Sequence, residues 1–117
     1  MQGVIKMTEQ NFEFVIYKYN ENTRQFSELG TFRDVVEAVV KMQKLAKQEA
    51  KQLKKNGNKL KVKPDEDLVE IDIINQTLDQ NLIFYLVYRD LKSKDETRVP
   101  NLSGLVDDYV GNLPWFP

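Results

Sequence analysis

Apolar and polar residues alternate in the first part of the chain that has a clear pattern, NFEFVIYKYN. Phe14 and Ile16 fall on one face of an extended segment, whereas Tyr17 and Tyr19 fall on the other. A period of two with aromatic and β-branched residues is typical of a β-strand. The turn-like stretch NENTR follows. QFSEL is then expected to return as a short second strand that ends where Gly30 breaks the ladder.

The next segment has the period of an amphipathic helix, which we expect to run from about Phe32 to Lys55. Thr31 is the predicted N-cap, and Asn56-Gly57-Asn58 should end the helix because Gly and Asn accept the left-handed conformation. One side of the helical wheel is apolar and contains Val35, Val39, Met42, Leu45, Ala46, Ala50 and Leu53. The roughly opposite side contains Lys41, Lys44, Lys47, Lys51, Lys54 and Lys55. The apolar side is therefore predicted to pack on a sheet.

Further strands are predicted after the helix. KLKVK alternates Leu60 and Val62 with lysines, and lysine commonly protects the edge of a sheet. LVEIDII has one polar face, whereas LIFYLVYR is apolar on both faces and indicates a central strand. NQTLDQN between them is predicted to be a loop. LSGLVDDYV, from Leu102 to Val110, indicates a short C-terminal helix.

This order of elements predicts an α+β fold, in which an antiparallel sheet of four to six strands packs on one long helix, with a short C-terminal helix. The sheet is expected either to stay open or to curl into a small open barrel. The 117 residues fit a single domain. Residues 1–10 are predicted to be a flexible N-terminal segment. Residues 111–117 are predicted to be a tail whose Trp115 packs on the sheet or the long helix.

The charge of the chain is unevenly distributed. The segment from Lys41 to Lys63 has nine lysines and one glutamate, whereas the rest of the chain has eight basic and seventeen acidic residues. A lysine-rich helix followed by a lysine-rich strand is suited to phosphate contacts. The predicted nucleic-acid-binding residues are Lys44, Lys47, Lys51, Lys54, Lys55, Lys59, Lys61 and Lys63. The alternative is the ordinary solvated face of an amphipathic helix, but such a face normally mixes charges of both signs.

The composition argues against an enzyme. The chain has neither cysteine nor histidine, so it lacks the thiol nucleophile, the commonest general base and the commonest metal ligand. The acidic stretch DED lacks the central glycine of an EF-hand loop. We therefore predict no catalytic residues, no metal and no cofactor. Tyr17, Tyr19 and Tyr85 could stack bases, but LIFYLVYR lacks the glycines of an RRM signature, so half-buried packing is the favoured interpretation.

Two functional hypotheses follow from these features. The first is a small regulatory protein that binds nucleic acid, RNA rather than DNA, through the lysine-rich helix and the adjacent strand. The second is a protein-binding adaptor or inhibitor of phage or plasmid type, which acts through its acidic surface or its helix face. Thirteen lysines against four arginines are typical of A+T-rich bacterial genomes and mobile elements. Because no stretch reaches the length of a membrane span and the start lacks a signal peptide, we expect a cytoplasmic protein.

Overall fold

The structure is a computed structural model and describes residues 10–102. In chain order the elements are β1 (Phe12–Asn20), β2 (Gln25–Phe32), α1 (Val35–Lys55), β3 (Leu60–Pro64), β4 (Glu70–Asn75), β5 (Gln80–Asp90) and β6 (Glu96–Arg98). The strands form one antiparallel sheet in the order β2-β1-β5-β4-β3, and β6 pairs with β5. An open six-stranded sheet with one long helix confirms the predicted α+β fold, and the barrel alternative is wrong. The predicted N-terminal segment before residue 10, C-terminal helix and tail lie outside the described residues.

The core lies between α1 and one face of the sheet. Register places the buried residues together, since Ile16 pairs with Leu86 and Phe84 pairs with Ile71. The largest fully buried side chains of this core are Ile16, Met42, Val69, Ile71, Ile73, Phe84 and Leu86. β5 lies between β1 and β4, which confirms that LIFYLVYR is a central strand. β3 is the last strand of the order, as its lysines predicted.

The predicted register of α1 is confirmed. Its residues Val39, Met42, Ala46 and Ala50 are buried. Val35, Leu45 and Leu53 are half-buried and pack against the same core. Ala38 and Gln43 are buried as well, which the helical wheel did not predict. The buried stripe of α1 is therefore wider than the set of apolar residues that the helical wheel placed on one side.

The predicted end of α1 is also confirmed. Gly57 has φ +87°, and its N–H donates to the carbonyl of Lys54 at 2.9 Å. The N–H of Asn58 donates to the carbonyl of Leu53 at 3.0 Å. These two bonds form a Schellman motif, which satisfies carbonyls that the last turn leaves without a partner.

The predicted start of α1 is wrong. Asp34 is the N-cap, and its carboxylate accepts the N–H of Glu37 at 2.9 Å. Thr31 does not cap the helix because it and Phe32 still pair with β1. The strand continues through Gly30, where a register shift opposite Ile16 absorbs the irregularity instead of ending the ladder. Pairing with β1 thus outweighs the local preference of Thr31 for a cap.

Two other connections differ from the prediction. NQTLDQN is not a loop throughout, because β4 ends at Asn75 and β5 begins at Gln80. The Asn75 side chain holds the turn between them by accepting the N–H groups of Thr77 and Leu78 at 3.1 and 3.0 Å. The charged stretch after β5 contains β6, a short strand that its composition did not predict. The described part of the chain has no helix with both the length and the apolar character needed to cross a membrane.

Candidate binding surfaces

The outer side of α1 is basic. We call it the basic helix face and define it by Lys41, Lys44, Lys47, Lys51, Lys54 and Lys55. Lys47 is half-buried, and the other five are exposed. Among residues 10–102, no ion pair involves Lys44, Lys51 or Lys55. Glu49, the one acid within the lysine-rich segment from Lys41 to Lys63, forms an ion pair with Lys18 of β1 at 3.1 Å.

The lysines of β3 do not extend the basic helix face. Lys61 pairs with Ile74 and Lys63 pairs with Asp72, so both side chains lie on the side of the sheet away from α1. Leu60 and Val62 occupy the alternate positions and pack against the core. Lys59 precedes the strand and is exposed. The structure therefore brings the helix lysines together but separates them from Lys61 and Lys63.

The face of the sheet that α1 does not cover has a cluster of aromatic side chains. We call it the open sheet face. Tyr17 stacks on Tyr85 with ring centroids 5.4 Å apart, and Tyr19 stacks on Phe26 at 4.4 Å. Phe26 is 62% exposed, whereas the three tyrosines are half-buried. The half-buried packing predicted for the tyrosines is thus confirmed.

Arg89 lies at the centre of an ion-pair network on this face. Its guanidinium donates to Glu13 at 2.8 Å, to Glu96 at 2.9 Å and to Glu28. The Tyr17 hydroxyl accepts from Arg89 at 3.1 Å and donates to Glu96 at 2.7 Å. The hydrogen bond to Glu28 contributes most to raising the pKa of Arg89 above its ordinary value. Three carboxylates therefore occupy the donors of this arginine.

A second cluster lies beside the aromatic residues. Arg98 donates to the Glu70 carboxylate, and its guanidinium carbon lies 4.2 Å from the centre of the Tyr85 ring. Asp72, two residues along β4 from Glu70, lies on the same face. Burial, and then the hydrogen bond and charge of Glu70, raise the pKa of Asp72 to about 7. Asp72 Oδ1 is buried and has no hydrogen-bond partner among the described residues.

Sequence reasoning found the tyrosines of the open sheet face but missed Arg89, Arg98 and Asp72 as members of its clusters. The alternation within each strand predicts which residues share a face. It does not predict which strands are neighbours, and Arg89 and Glu13 are 76 positions apart. No group of three or more acidic side chains within residues 10–102 is arranged to hold a metal ion.

Comparison of the chain with known protein families, curated proteins and solved structures found no match. The chemistry of the two surfaces is therefore the basis for a functional assignment. The basic helix face presents lysines to water. The open sheet face presents tyrosines, a phenylalanine, arginines that are already bound to carboxylates, and the exposed Lys61 and Lys63.

Proposed function

We propose that the protein is a small non-enzymatic regulatory protein that binds nucleic acid through the basic helix face. The observation that supports this best is that Lys44, Lys51 and Lys55 are exposed and form no ion pair with a described residue. They lie along a helix of 21 residues, which spans about 32 Å. When lysines in this state contact phosphates, the counterions condensed on the nucleic acid are released, and that release favours binding.

The chemistry of the lysine side chain sets the kind of recognition. A lysine ammonium is a point charge and lacks the planar fork with which arginine contacts a base or a phosphate twice. The basic helix face should therefore bind the phosphate backbone and tolerate many sequences. The preference for RNA over DNA depends on an analogy with other small α+β domains. We expect a protein with this role to act in the cytoplasm.

The proposed contact surface is narrower than the one predicted from sequence. Lys61 and Lys63 lie on the other side of the sheet, so a backbone that follows α1 does not reach them. About three to four phosphates would be neutralised, and log affinity should then fall against log salt with a slope of roughly −2 to −4.

The experiment is a salt titration with labelled RNA and DNA, each single-stranded and double-stranded, followed by fluorescence anisotropy. The test variant replaces Lys44, Lys51 and Lys55 with Gln. The control variant replaces Lys59, Lys61 and Lys63 with Gln and changes the net charge equally. We expect the test variant to flatten the slope by about one unit per lost contact, and the control to change it little. Absence of binding by the native chain at low salt, or equal losses in both variants, would contradict the proposal.

A protein-binding adaptor is the second candidate function, and the open sheet face supports it. Tyr, Phe and Arg are frequent at the centres of protein interfaces, and Phe26 is largely exposed on this face. The same face has five carboxylates, which disfavour a phosphate backbone: Glu13, Glu28, Glu70, Asp72 and Glu96. Capture from nuclease-treated lysate distinguishes the candidates. A protein partner that is lost with Phe26→Ala but kept by the triple lysine variant would favour the adaptor.

A further inference from the structure

We infer that residues 103–117 dock on the outer surface of α1 near its start, with Trp115 as their main apolar contact. The surface there is a shallow groove, which we call the α1 groove. It is lined by Phe32, Val36, Glu37, Val40, Lys41 and Lys44. Val36 and Val40 are 54% and 58% exposed and lie one turn apart. Single exposed apolar residues are ordinary, whereas adjacent ones beside a phenylalanine are typical of a contact surface.

The described part of the chain ends at the same end of the sheet as the α1 groove. One row of paired residues crosses the sheet there through Phe32, Phe14, Tyr88 and Thr97. Neighbouring strands lie about 4.8 Å apart, so β6 is about 14 Å from the strand that leads into α1. Leu102 follows β6 by four residues. The chain from Leu102 to Trp115 spans up to about 45 Å when extended, so Trp115 can reach the groove.

The α1 groove and the path of the chain also lie on the same side of the helix. Glu49 forms an ion pair with Lys18 of β1, so its flank of α1 faces β1 and β2. The two valines are about 140° and 180° from Glu49 around the helix, and they therefore lie towards β4 and β6. Pro100 pairs with Leu68, which precedes β4, so the chain passes this side just before residue 103.

Charge selects residues 103–117 as the occupant of the α1 groove. They contain two aspartates and neither lysine nor arginine. Lys41 and Lys44 border the groove, and neither forms an ion pair with a described residue. Residues 1–9 also lie outside the described part of the chain, but their one lysine and one glutamate leave no net charge. An acidic segment is therefore the better match for a groove that lysines border.

A buried amide beside the groove has a donor that a docked segment could satisfy. Gln43 follows Val40 by one turn, is 7% exposed, and its Nε2 donates to no described residue. A buried donor without an acceptor costs free energy. The backbone carbonyls of residues 103–117 are a source of an acceptor from outside the described residues.

Docking would place Asp107 and Asp108 near the basic helix face, where they compete with phosphates for the lysines. The segment would then inhibit nucleic-acid binding by its own chain, and Asp107→Asn with Asp108→Asn should increase the affinity for RNA. This consequence rests on the proposed function. The docking itself does not, and it can be measured in the absence of nucleic acid.

The test uses the fluorescence of Trp115, the single tryptophan of the chain, in the full-length protein without nucleic acid. We expect the emission maximum of the native chain at a shorter wavelength than in urea, because docking removes the indole from water. Val40→Asp places a carboxylate in the groove and should shift the maximum towards its value in urea. Gln48→Asp adds the same charge at an exposed position on the flank that faces β1, and should leave the emission unchanged.

Circular dichroism shows whether both variants fold, and Val40→Ser repeats the test without a charge if Val40→Asp does not. Native emission at the same wavelength as in urea would overturn the inference. A native shift that neither Val40 variant changes would also overturn it, by placing Trp115 elsewhere. A shift that disappears on dilution would assign the groove to a segment of a second copy and contradict docking within one chain. Because the emission is measured without nucleic acid, failure of the proposed function would not affect this result.

Discussion

The basic helix face and the open sheet face hold their cations in different surroundings. On the open sheet face, Arg89 donates to three carboxylates and Arg98 donates to Glu70. On the basic helix face, Lys44 and Lys51 are exposed to water and form no ion pair within residues 10–102. The arginine fork binds carboxylates in a fixed geometry, whereas the lysine ammonium stays hydrated on a flexible stem. The arginines of the open sheet face thus serve internal structure, whereas Lys44 and Lys51 of the basic helix face stay accessible.

This difference shows why net charge is a poor guide to the partner of this chain. The formal charge of −1 sums two populations that have different roles. Arg89 offsets one of the three negative charges of its carboxylate partners within the sheet. The accessible cations are concentrated on α1, and a polyanion would meet them there. The following variants test this division of roles.

The largest effect is expected on the inner side of α1. Val39 is 3% exposed and packs in the core, so Val39→Asp would bury an ionised carboxylate without a partner. We expect a loss of about 3 kcal/mol or more in the free energy of unfolding, and urea denaturation measures it. Val36→Asp is the matched control, because Val36 is 54% exposed on the same helix. Equal losses in both variants would show that the register of α1 is wrong.

Removal of Arg89 is expected to have the next largest effect. Arg89→Met keeps much of the side-chain volume but leaves Glu13, Glu28 and Glu96 facing one another without a cation. The cost should be on the order of 1–3 kcal/mol, below that of a fully buried pair because solvent screens the network in part. Urea denaturation measures this cost. Arg33→Met is the control, because Arg33 is an exposed arginine.

A double-mutant cycle sharpens the prediction for Arg89. Glu28→Gln removes one of the three negative charges that Arg89 neutralises. The loss from Arg89→Met should therefore be smaller in the Glu28→Gln background than in the native chain. Additive losses would contradict a network in which Arg89 neutralises Glu28.

Asp72 should make the open sheet face sensitive to pH. Its pKa is raised to about 7 in the folded chain, so the folded state holds the proton more tightly than the unfolded state does. The stability conferred by protonated Asp72 is complete below the unfolded pKa of about 4 and is lost as pH rises to about 7. Asp72→Asn removes this dependence and should stabilise the protein at pH 8 by about 1 kcal/mol, since partial exposure reduces the effect. Thermal unfolding from pH 4 to pH 8 measures it.

Asp90 provides a control of opposite sign. The backbone N–H groups of Ser93 and Lys92 donate to its carboxylate and lower its pKa. Ionised Asp90 therefore stabilises the fold above its unfolded pKa, and this contribution is lost as pH falls through the folded value. Asp90→Asn should lower the free energy of unfolding at neutral pH, whereas Asp72→Asn should raise it. The same direction of change in both variants would contradict the different surroundings of these two carboxylates.

The register of α1 was predictable from sequence because it depends on a local period, and Val39 and Ala50 obey it. The lysine-protected edge β3 was predictable for a similar local reason. The start of α1 was not, because pairing of Thr31 with β1 depends on a neighbouring strand. The ion pair of Arg98 with Glu70 was not predictable either. It joins residues 28 positions apart, and it requires the order of strands in the sheet.

The smallest effect on stability is expected on the outer side of α1. Lys44→Asp and Lys51→Asp change exposed residues that form no ion pair with a described residue. Each should change the free energy of unfolding by no more than about 0.5 kcal/mol, as exposed substitutions usually do. The same variants should weaken nucleic-acid binding, since each replaces an attraction to phosphate with a repulsion. Urea denaturation and anisotropy titration of the same samples would separate the two outcomes. A clear loss of stability would show that these lysines contribute to the fold, and the basic helix face would then resemble the open sheet face.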